Sequence, residues 1–496
     1  MSLSTTITFP IIGESYVQPT GLFINNEFVK ARSGKTFKVT SPIDESLLAE
    51  LQQADAKDVE VAVDAAEAAF KKWSALTPDD RSEYVRKLAE LIERDQDIIT
   101  KIESLDNGKS LDSASWDLNM VVHYLKSCAG YSDFIDGRSI DTGDGYLNYT
   151  RREPLGVCGQ IIPWNFPIMM WAWKVGPAIV SGNTVILKPA SATPLSALYT
   201  AQLVKEAGIP PGVVNIIPGS GRSCGNAIVH HKRIMKVAFT GSTEVGRDVM
   251  VGAGESNIKK VTLELGGKSP NIVFADANLE LAVQNVVTGV LFNGGEVCCA
   301  GTRVYVQDAI YDKFTAMLKK AFESIKVGNP FEKGVFQGAQ ATPDQFQTVL
   351  DYIQIGVKEG AKILTGGKRI GKRGYFVEPT IFLTDREDYR IVKEEIFGPV
   401  TTLSKFSTVD QVVEMANDST FGLAAGVNSR DINKAINVAH RLKAGTVWVN
   451  TYNDLHHQVP FGGYKQSGIG REMGVEAFEN YTQVKAIRVK LENPIA

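Results

Sequence analysis

The sequence predicts an α/β protein with parallel sheets, and three features of the chain support this fold class. From about residue 155, short β-rich runs alternate with helical runs, which is typical of βαβ units. A second α/β series begins after the adjacent glycines Gly266 and Gly267. The chain has 496 residues, of which 44% are hydrophobic, and this suits two or three domains. Because the carboxyl ends of parallel strands meet at one sheet edge, we expect ligands to bind there.

The first third of the chain predicts helices. Residues 58–73 (DVEVAVDAAEAAFKKW) are rich in alanine and amphipathic. Residues 79–95 begin with Asp79 and Asp80, and acidic residues suit a helix N-terminus. One face of this second helix is apolar and consists of Tyr84, Leu88, Leu91 and Ile92.

Residues 161–180 (IIPWNFPIMMWAWKVGPAIV) are almost entirely apolar and are as long as a membrane span. The prolines of this stretch are Pro163, Pro167 and Pro177. They would break a helix, and Asn165 and Lys174 add polar groups. We therefore expect a buried, irregular segment with a functional role rather than a membrane helix.

The remaining elements follow the strand–helix alternation. Strands are predicted over 184–189, 213–218, 236–241 and 261–265. In the second series, a helix over 279–293 and a strand over 303–307 flank the loop FNGGEVCCAG (292–301).

Charge and cysteine content exclude several function classes. The net charge of −3 gives no electrostatic case for a nucleic acid or a membrane surface as partner. The five cysteines are too few for a disulfide framework, which favours a reducing compartment, and we expect a cytoplasmic protein. The opening segment MSLSTTITFPIIGESY has no lysine or arginine, so we expect neither a secretory signal nor an arginine-rich transit peptide there. The six histidines form no metal-binding motif, so no metal is expected.

Three short motifs could carry chemistry. In KVAFTGSTEVGRDV a strand leads through Gly241 into a helix, whose N-terminus would bind a phosphate, although an ordinary βα turn has the same pattern. ELGGKSP is not a P-loop, because Thr262 stands where that motif needs glycine. The adjacent Cys298 and Cys299 fit a reactive thiolate, two buried small apolar residues, a vicinal disulfide or no role at all, and the pattern alone leaves these open.

Seven motifs together resemble the aldehyde dehydrogenase superfamily. They are PWNFP (163–167), GNTVILKPA (182–190), FTGSTEVG (239–246), LELGGKSPNIV (263–273), GGEVCCAG (294–301), EEIFGPV (394–400) and PFGGYKQSGIGRE (460–472). They occur in the family's order over more than 300 residues, so the resemblance covers nearly the whole chain. Within this superfamily, the motifs and the sequences that flank them resemble those of fungal cytosolic enzymes that oxidise acetaldehyde with NAD or NADP.

The resemblance implies a Rossmann-type parallel-sheet cofactor domain, an α/β catalytic domain and a β-arm for oligomerisation. It assigns residues 1–135 and 155–265 to the cofactor domain, 266–470 to the catalytic domain, and 136–154 with 471–496 to the arm and the C-terminal strand. The partners would be an aldehyde and further copies of the chain, as a homotetramer or a homodimer.

The resemblance also implies the chemistry. Cys298 would be the nucleophile and Glu264 the general base, while Cys299 would be a passive neighbour. The Asn165 amide and the Cys298 backbone N–H would stabilise the oxyanion. A small aliphatic aldehyde such as acetaldehyde would be oxidised to its acid through a thiohemiacetal and a thioester, with hydride transfer to NAD(P).

The cofactor contacts that carry over are Ile162, Trp164, Lys188, Ser191, Gly221, Gly241, Ser242, Glu395 and Phe397. Ser191 departs from the family, because members that use NAD commonly have glutamate there. A carboxylate would repel the 2′-phosphate of NADP, which carries about −1.5 to −2 charges, and serine does not. We therefore expect NADP to be accepted as well as NAD.

The expected substrate channel consists of Phe166, Met170, Trp173, Leu455 and Phe461, whose apolar walls favour small or medium aldehydes. The main alternative function is an NAD-preferring aldehyde dehydrogenase that acts on a larger or amino aldehyde. Two further alternatives are a cofactor-independent thiol hydrolase or acyltransferase that uses Cys298, and a catalytically inactive relative. Glu296 stands where the family usually has glutamine, and we expect its side chain to point to solvent.

Overall fold

The fold is described from a computed structural model that covers residues 3–492, so residues 1–2 and 493–496, at the ends of the predicted domains, lie outside it. Two sheets with parallel cores organise this part of the chain and confirm the α/β fold class. The central strands are buried on both faces, as parallel sheets covered by helices require.

The first sheet has eight strands. Its parallel core has the order Lys260–Glu264, Lys236–Thr240, Val157–Ile161, Thr184–Lys188 and Val214–Ile216. Antiparallel strands complete both ends: Gly468–Ile469 at one, and Leu22–Ile24 with Glu27–Val29 at the other. The predicted strands over 184–189, 213–218, 236–241 and 261–265 are therefore confirmed to within two residues.

The second sheet has seven strands. Their order is Lys362–Thr365, Thr380–Leu383, Val400–Phe406, Arg303–Gln307, Pro270–Val273, Ala424–Asn428 and Thr446–Val449. All pairs are parallel except the first. The strand predicted over 303–307 is confirmed at both ends.

Four two-stranded sheets lie outside these two. Their pairs are Ser4–Thr8 with Ser15–Pro19, Thr36–Thr40 with Leu47–Gln52, Arg369–Ile370 with Phe376–Val377, and Tyr146–Pro154 with Thr482–Lys490. The last pair joins the predicted arm to the predicted C-terminal strand. The domain boundaries stay a prediction, and Gly468–Ile469, which they assign to the catalytic domain, pairs with the first sheet.

Helices cover the sheets. The longer ones are Ala56–Trp73, Pro78–Arg94, Gln96–Asn107, Leu111–Gly130, Pro167–Val180, Leu195–Glu206, Thr243–Ser256, Leu279–Leu291, Tyr311–Glu323, Pro343–Glu359, Val409–Asn417 and Ile432–Arg441. Short helices span Asn226–His230, Arg390–Lys393 and Glu476–Glu479. The helices predicted over 58–73, 79–95 and 279–293 are confirmed, and Asp55 and Thr77 cap the first two through capping boxes.

The prediction of an irregular segment over 161–180 is wrong for most of that stretch. Pro167–Val180 is a helix whose residues are all buried. Pro163 precedes it, and Pro167 occupies its first turn, where proline loses no hydrogen bond. Only Pro177 interrupts the helix, at a cost of about 3 kcal/mol that burial of the apolar side chains offsets. Across residues 3–492, no helix is long and apolar enough to cross a membrane.

Candidate active site

Four loops meet at the carboxyl edge of the first sheet. They follow the parallel strands Val157–Ile161, Thr184–Lys188, Lys236–Thr240 and Lys260–Glu264. The nucleophile loop (residues 292–301) and the turn over 394–400 approach this edge from the second α/β series. The parallel order therefore brings together motifs that are far apart in the sequence.

A cavity of about 320 Å³ is lined by residues of the loops that follow Val157–Ile161, Lys236–Thr240 and Lys260–Glu264, together with Cys298 and the turn over 394–400. Its wall contains the predicted site residues Trp164, Asn165, Phe166, Met170, Gly241, Ser242, Glu264, Cys298, Glu395 and Phe397. Met170 was expected in the substrate channel, but the structure places it in this larger cavity.

The Glu395 carboxylate lines the cavity and packs closely against the backbone of Gly266 and Gly267. Its Oε1 accepts a hydrogen bond from the Gly267 N–H at 2.8 Å. A Cβ at Gly266 would lie 2.1 Å from Oε2, so only glycine leaves room for the carboxylate. Burial raises the pKa of Glu395 to about 7, which the Gly267 N–H and Lys268 oppose. A partly exposed carboxylate acceptor in the cavity wall is thus available for a ligand hydroxyl.

The cavity also contains the N-terminus of the helix Thr243–Ser256. Ser242 caps this helix by accepting from the Val245 N–H at 3.4 Å, and Ser242 and Gly241 line the cavity. Free N–H groups and the helix dipole favour a phosphate there. This helix N-terminus can therefore bind an anionic group such as a phosphate.

The other predicted cofactor residues are not among those that line the cavity. Lys188 is 4% exposed, and its Nζ donates to the Pro189 and Gly219 carbonyls at 2.8 and 3.1 Å. Ser191 Oγ donates to the same Gly219 oxygen at 3.0 Å. Gly221, two residues further on, is exposed, whereas Ile162 is buried and donates its N–H to the Lys188 carbonyl. Lys188 and Ser191 therefore form one polar cluster.

A second, narrow cavity of about 30 Å³ reaches Cys298 from another side. It is lined by the predicted channel residues Phe166, Trp173, Leu455 and Phe461. Cys298, Glu264 and Phe166 line both cavities, so the thiol and the carboxylate stand between them.

Glycines shape the nucleophile loop. Asn293, Gly294 and Gly295 all have left-handed φ values of 50°, 62° and 76°. A Cβ at Gly295 would lie 2.2 Å from the Gly398 carbonyl oxygen. The loop therefore needs glycine for both its conformation and its packing.

The two cysteines have different environments. Cys298 is partly exposed, whereas Cys299 is buried and its Sγ donates to Asn453 Oδ1 at 3.4 Å. The adjacent Cys299 thiol, burial and the Glu264 carboxylate all raise the pKa of Cys298. The thiol needs a base before it can react, and Glu264 lies within electrostatic reach.

Glu264 ends its strand inside the protein with a 3% exposed side chain. In the part of the chain that the structure describes, neither carboxylate oxygen has a hydrogen-bond partner at ordinary distance. Burial raises the pKa of Glu264 to about 8, and the Cys298 thiol and Lys174 oppose the shift. Such a carboxyl can accept a proton near neutral pH.

Asn165 connects two loops. Its Nδ2 donates one N–H to the Glu296 carbonyl at 2.8 Å. The amide has a second N–H, and the residue lines the cavity beside Cys298. Asn165 can therefore donate to an oxyanion formed on Cys298.

The expectation that Glu296 points to solvent is wrong. Its side chain is 1% exposed, and Oε1 accepts from the Ala341 N–H at 3.0 Å. Burial raises its pKa well above the ordinary value, while the Ala341 N–H and Lys109 oppose the shift. Packing with a segment 45 residues away turns this carboxyl inward.

Sequence reasoning missed several residues at the site. Gln345 donates from Nε2 to the Ile396 and Phe397 carbonyls, at 3.1 and 2.6 Å, and supports Phe397 in a left-handed conformation with φ of 59°. Asn293 donates to the Asn165 carbonyl, and the glycines that follow it were a usable sequence signal. For Gln345 the sequence offers no comparable signal. Across residues 3–492, no group of three or more His, Cys, Asp or Glu side chains could bind a metal.

Comparisons with known proteins agree with this geometry. A family model described as "Aldehyde dehydrogenase family" matches residues 28–487. An aldehyde dehydrogenase of Davidiella tassiana is 55% identical, with 96% of each chain covered. One of Emericella nidulans is 54% identical, covering 99% of this chain and 98% of the relative. The NAD⁺ complex of an aldehyde dehydrogenase from Bacillus cereus has a TM-score of 0.94 at 47% identity, covering 95% of this chain and 97% of that one. The chain therefore belongs to the aldehyde dehydrogenase family.

Proposed function

We propose that this oxidoreductase converts small, unbranched aldehydes to carboxylic acids through Cys298 and that it accepts NADP as well as NAD. Oxidation of aldehydes follows from its family. The observation that carries the site assignment is that Cys298 and Glu264 line both cavities. An aldehyde in the narrow cavity and a cofactor in the larger one would meet at the thiol.

In the first half of the reaction, Glu264 accepts the Cys298 proton and the thiolate adds to the carbonyl carbon. The second N–H of the Asn165 amide and the Cys298 N–H stabilise the oxyanion of the resulting thiohemiacetal. A bound nicotinamide supplies the hydride acceptor that makes oxidation to the thioester possible.

In the second half, Glu264 first releases the Cys298 proton to solvent and then accepts a proton from a water molecule, whose oxygen attacks the thioester carbon. The C–S bond breaks, the carboxylic acid leaves and the Cys298 thiolate takes a proton from Glu264. Because Glu264 serves both halves, its ionisation state controls the reaction.

The polar groups beside the larger cavity fit a dinucleotide. Glu395 offers an acceptor for a ribose hydroxyl, and the helix at Ser242 offers N–H groups for a pyrophosphate. Lys188 and Ser191, which both bond the Gly219 carbonyl, would contact the adenosine ribose. The Ser191 hydroxyl is neutral, so it would not repel the 2′-phosphate of NADP as a carboxylate would. The NAD⁺ complex of the Bacillus cereus relative supports dinucleotide use.

The narrow cavity supports a small substrate. The aromatic walls include Trp173 and Phe461, whose ring centroids are 5.7 Å apart. A larger aldehyde is the second candidate, because an outer cavity of about 310 Å³ shares Trp116 and Leu455 with the narrow one. The outer cavity is lined by His123, His456 and His457 and by no carboxylate, which disfavours an amino aldehyde.

We further propose a homo-oligomer formed through the arm, which carries the exposed apolar residues Leu147, Val484 and Val489. Light scattering of the intact chain would test this. The cytoplasmic location stays a prediction.

The decisive experiment measures kcat/KM for linear and branched aldehydes with NAD and NADP. Cys298→Ala should abolish activity, whereas Cys299→Ala is the matched control that keeps the nucleophile. Full activity in Cys298→Ala would refute the mechanism. A preference for branched aldehydes, or absolute specificity for NAD, would refute the substrate or cofactor proposal alone.

A further inference from the structure

A buried cation lies directly behind the oxyanion donor. Lys109 follows the helix Gln96–Asn107 and is only 2% exposed. A buried ammonium is costly unless it is paired and hydrogen-bonded. No motif of the resemblance includes this residue, and the mechanism above does not use it.

The Lys109 ammonium lies near two buried carboxylates, Asp117 and Glu103, and contacts the PWNFP loop (163–167). Its Nζ donates to Asp117 Oδ2 at 2.5 Å and to the Asn165 carbonyl oxygen at 2.9 Å. Glu103 Oε1 lies 3.8 Å away, and the Phe166 ring centroid 4.4 Å away. The ammonium therefore bonds the backbone of Asn165, which lines the larger cavity together with Cys298.

Asn165 is also hydrogen-bonded to the nucleophile loop. Its carbonyl accepts a second hydrogen bond from Asn293 Nδ2 at 2.9 Å, while its own amide donates to the Glu296 carbonyl at 2.8 Å. Glu296 stands two residues before Cys298. One chain of hydrogen bonds thus runs from the Lys109–Asp117 pair to the peptide that precedes the nucleophile.

From this arrangement we propose that Lys109 is a positioning residue that, with Asp117, fixes the backbone of Asn165 so that its amide meets the oxyanion on Cys298. The proposal rests on the oxyanion role assigned to Asn165 above. Lys109 touches neither substrate nor cofactor, and its effect on the reaction passes through Asn165.

A double-mutant cycle tests this route. Lys109→Met is combined with Asp117→Asn, so that Asp117 is not left as a buried carboxylate without its cation, while Glu103 keeps the hydrogen bond from the Ile168 N–H at 3.2 Å. The pair is measured with and without Asn165→Ala. Loss of an oxyanion donor costs about 10²–10³-fold in kcat. A displaced donor retains part of this effect, so the Lys109→Met, Asp117→Asn pair should lower kcat about 10–100-fold with KM changed less than about threefold.

The decisive comparison is made in the Asn165→Ala background. There the same pair should lower kcat by less than about threefold, because the group it positions is gone. An equal fold-loss in both backgrounds would overturn the proposal. Lys236→Met, which removes another buried lysine bonded to Thr262, is the control for stability effects and should show no such coupling.

Two further outcomes are distinguishable. If Asn165→Ala alone leaves kcat unchanged, the oxyanion role in the proposed function is wrong, and the positioning proposal falls with it. If the Lys109→Met, Asp117→Asn pair loses its cooperative unfolding transition, the cycle is run with Asp117→Asn alone, which keeps the cation but removes its anchor. Its kcat loss must also disappear in the Asn165→Ala background, and a persistent loss overturns the proposal.

Discussion

Replacing Glu264 by glutamine tests the central acid–base assignment. Glutamine keeps the size of the side chain but cannot accept a proton at any pH of interest. Burial raises the pKa of Glu264 to about 8, so the carboxyl is mostly protonated at neutral pH. Only the ionised form can take a proton from water, and hydrolysis of the thioester should therefore accelerate as the pH rises.

The size of the effect follows from that pKa. With a value of about 8, about one tenth of Glu264 is ionised at pH 7 and about nine tenths at pH 9. The rate of thioester hydrolysis should rise about tenfold across this interval. In the free enzyme, the hydrogen bond from the Cys298 thiol lowers the pKa of Glu264. Acylation consumes this thiol, so the pKa of Glu264 in the acyl-enzyme can only be higher from this cause, and the midpoint of the pH–rate profile moves upward with it.

The assay uses p-nitrophenyl acetate, which acylates the thiol with a burst of nitrophenol and then turns over at the hydrolysis rate. Because the thiol is blocked in the acyl-enzyme, its own titration does not enter the steady-state slope. Glu264→Gln should slow the burst, because the Cys298 thiol loses its base, and should lower the following slope at least about 100-fold and make it independent of pH. A wild-type slope that is flat between pH 7 and 9, or a variant that keeps the wild-type profile, would refute the reasoning.

Three further predictions concern the cofactor, the buried acid and the channel. Ser191→Glu should lower the ratio of kcat/KM with NADP to that with NAD at least tenfold, because the carboxylate repels the 2′-phosphate, whereas the neutral Ser191→Gln should change it less; equal ratios would contradict the idea. Burial raises the pKa of Glu296, so wild-type stability falls as the pH rises above the unfolded value of about 4.3. Glu296→Gln should therefore melt about 2 °C or more above wild type at pH 8 and equally at pH 4, as measured by scanning calorimetry. Phe461→Ala should widen the narrow cavity, so that the branched substrate isobutyraldehyde gains in kcat/KM relative to acetaldehyde; an unchanged ratio would exclude Phe461 from the channel.

Local patterns predicted the secondary structure well where the signal is local. The strand Arg303–Gln307 and the helix Leu279–Leu291 follow from short apolar runs and 3.6-residue periodicity. The failure over 161–180 has a positional cause. The effect of a proline depends on its place in a helix, and composition does not reveal that Pro167 starts the helix.

Motif resemblance predicts Cys298, Glu264 and Asn165 as the reacting groups, and the structure places all three in the wall of one cavity. The narrow cavity, by contrast, also contains Trp116 and Asn453, which no motif indicated. They belong to a helix and a loop that are distant in sequence, and their role depends on how those elements pack.

The sequence by itself predicted the fold class, several of the strands and helices and the candidate reacting groups, because periodicity and short motifs are properties of local stretches of the chain. Only the tertiary structure decided the environments of those groups. Glu296 is buried because it packs against Ala341, and Lys109 reaches Asn165 across 56 residues of sequence. Burial and hydrogen bonding depend on which distant segments meet, and these contacts set the pKa of Glu264 and the position of Asn165, the proposed oxyanion donor.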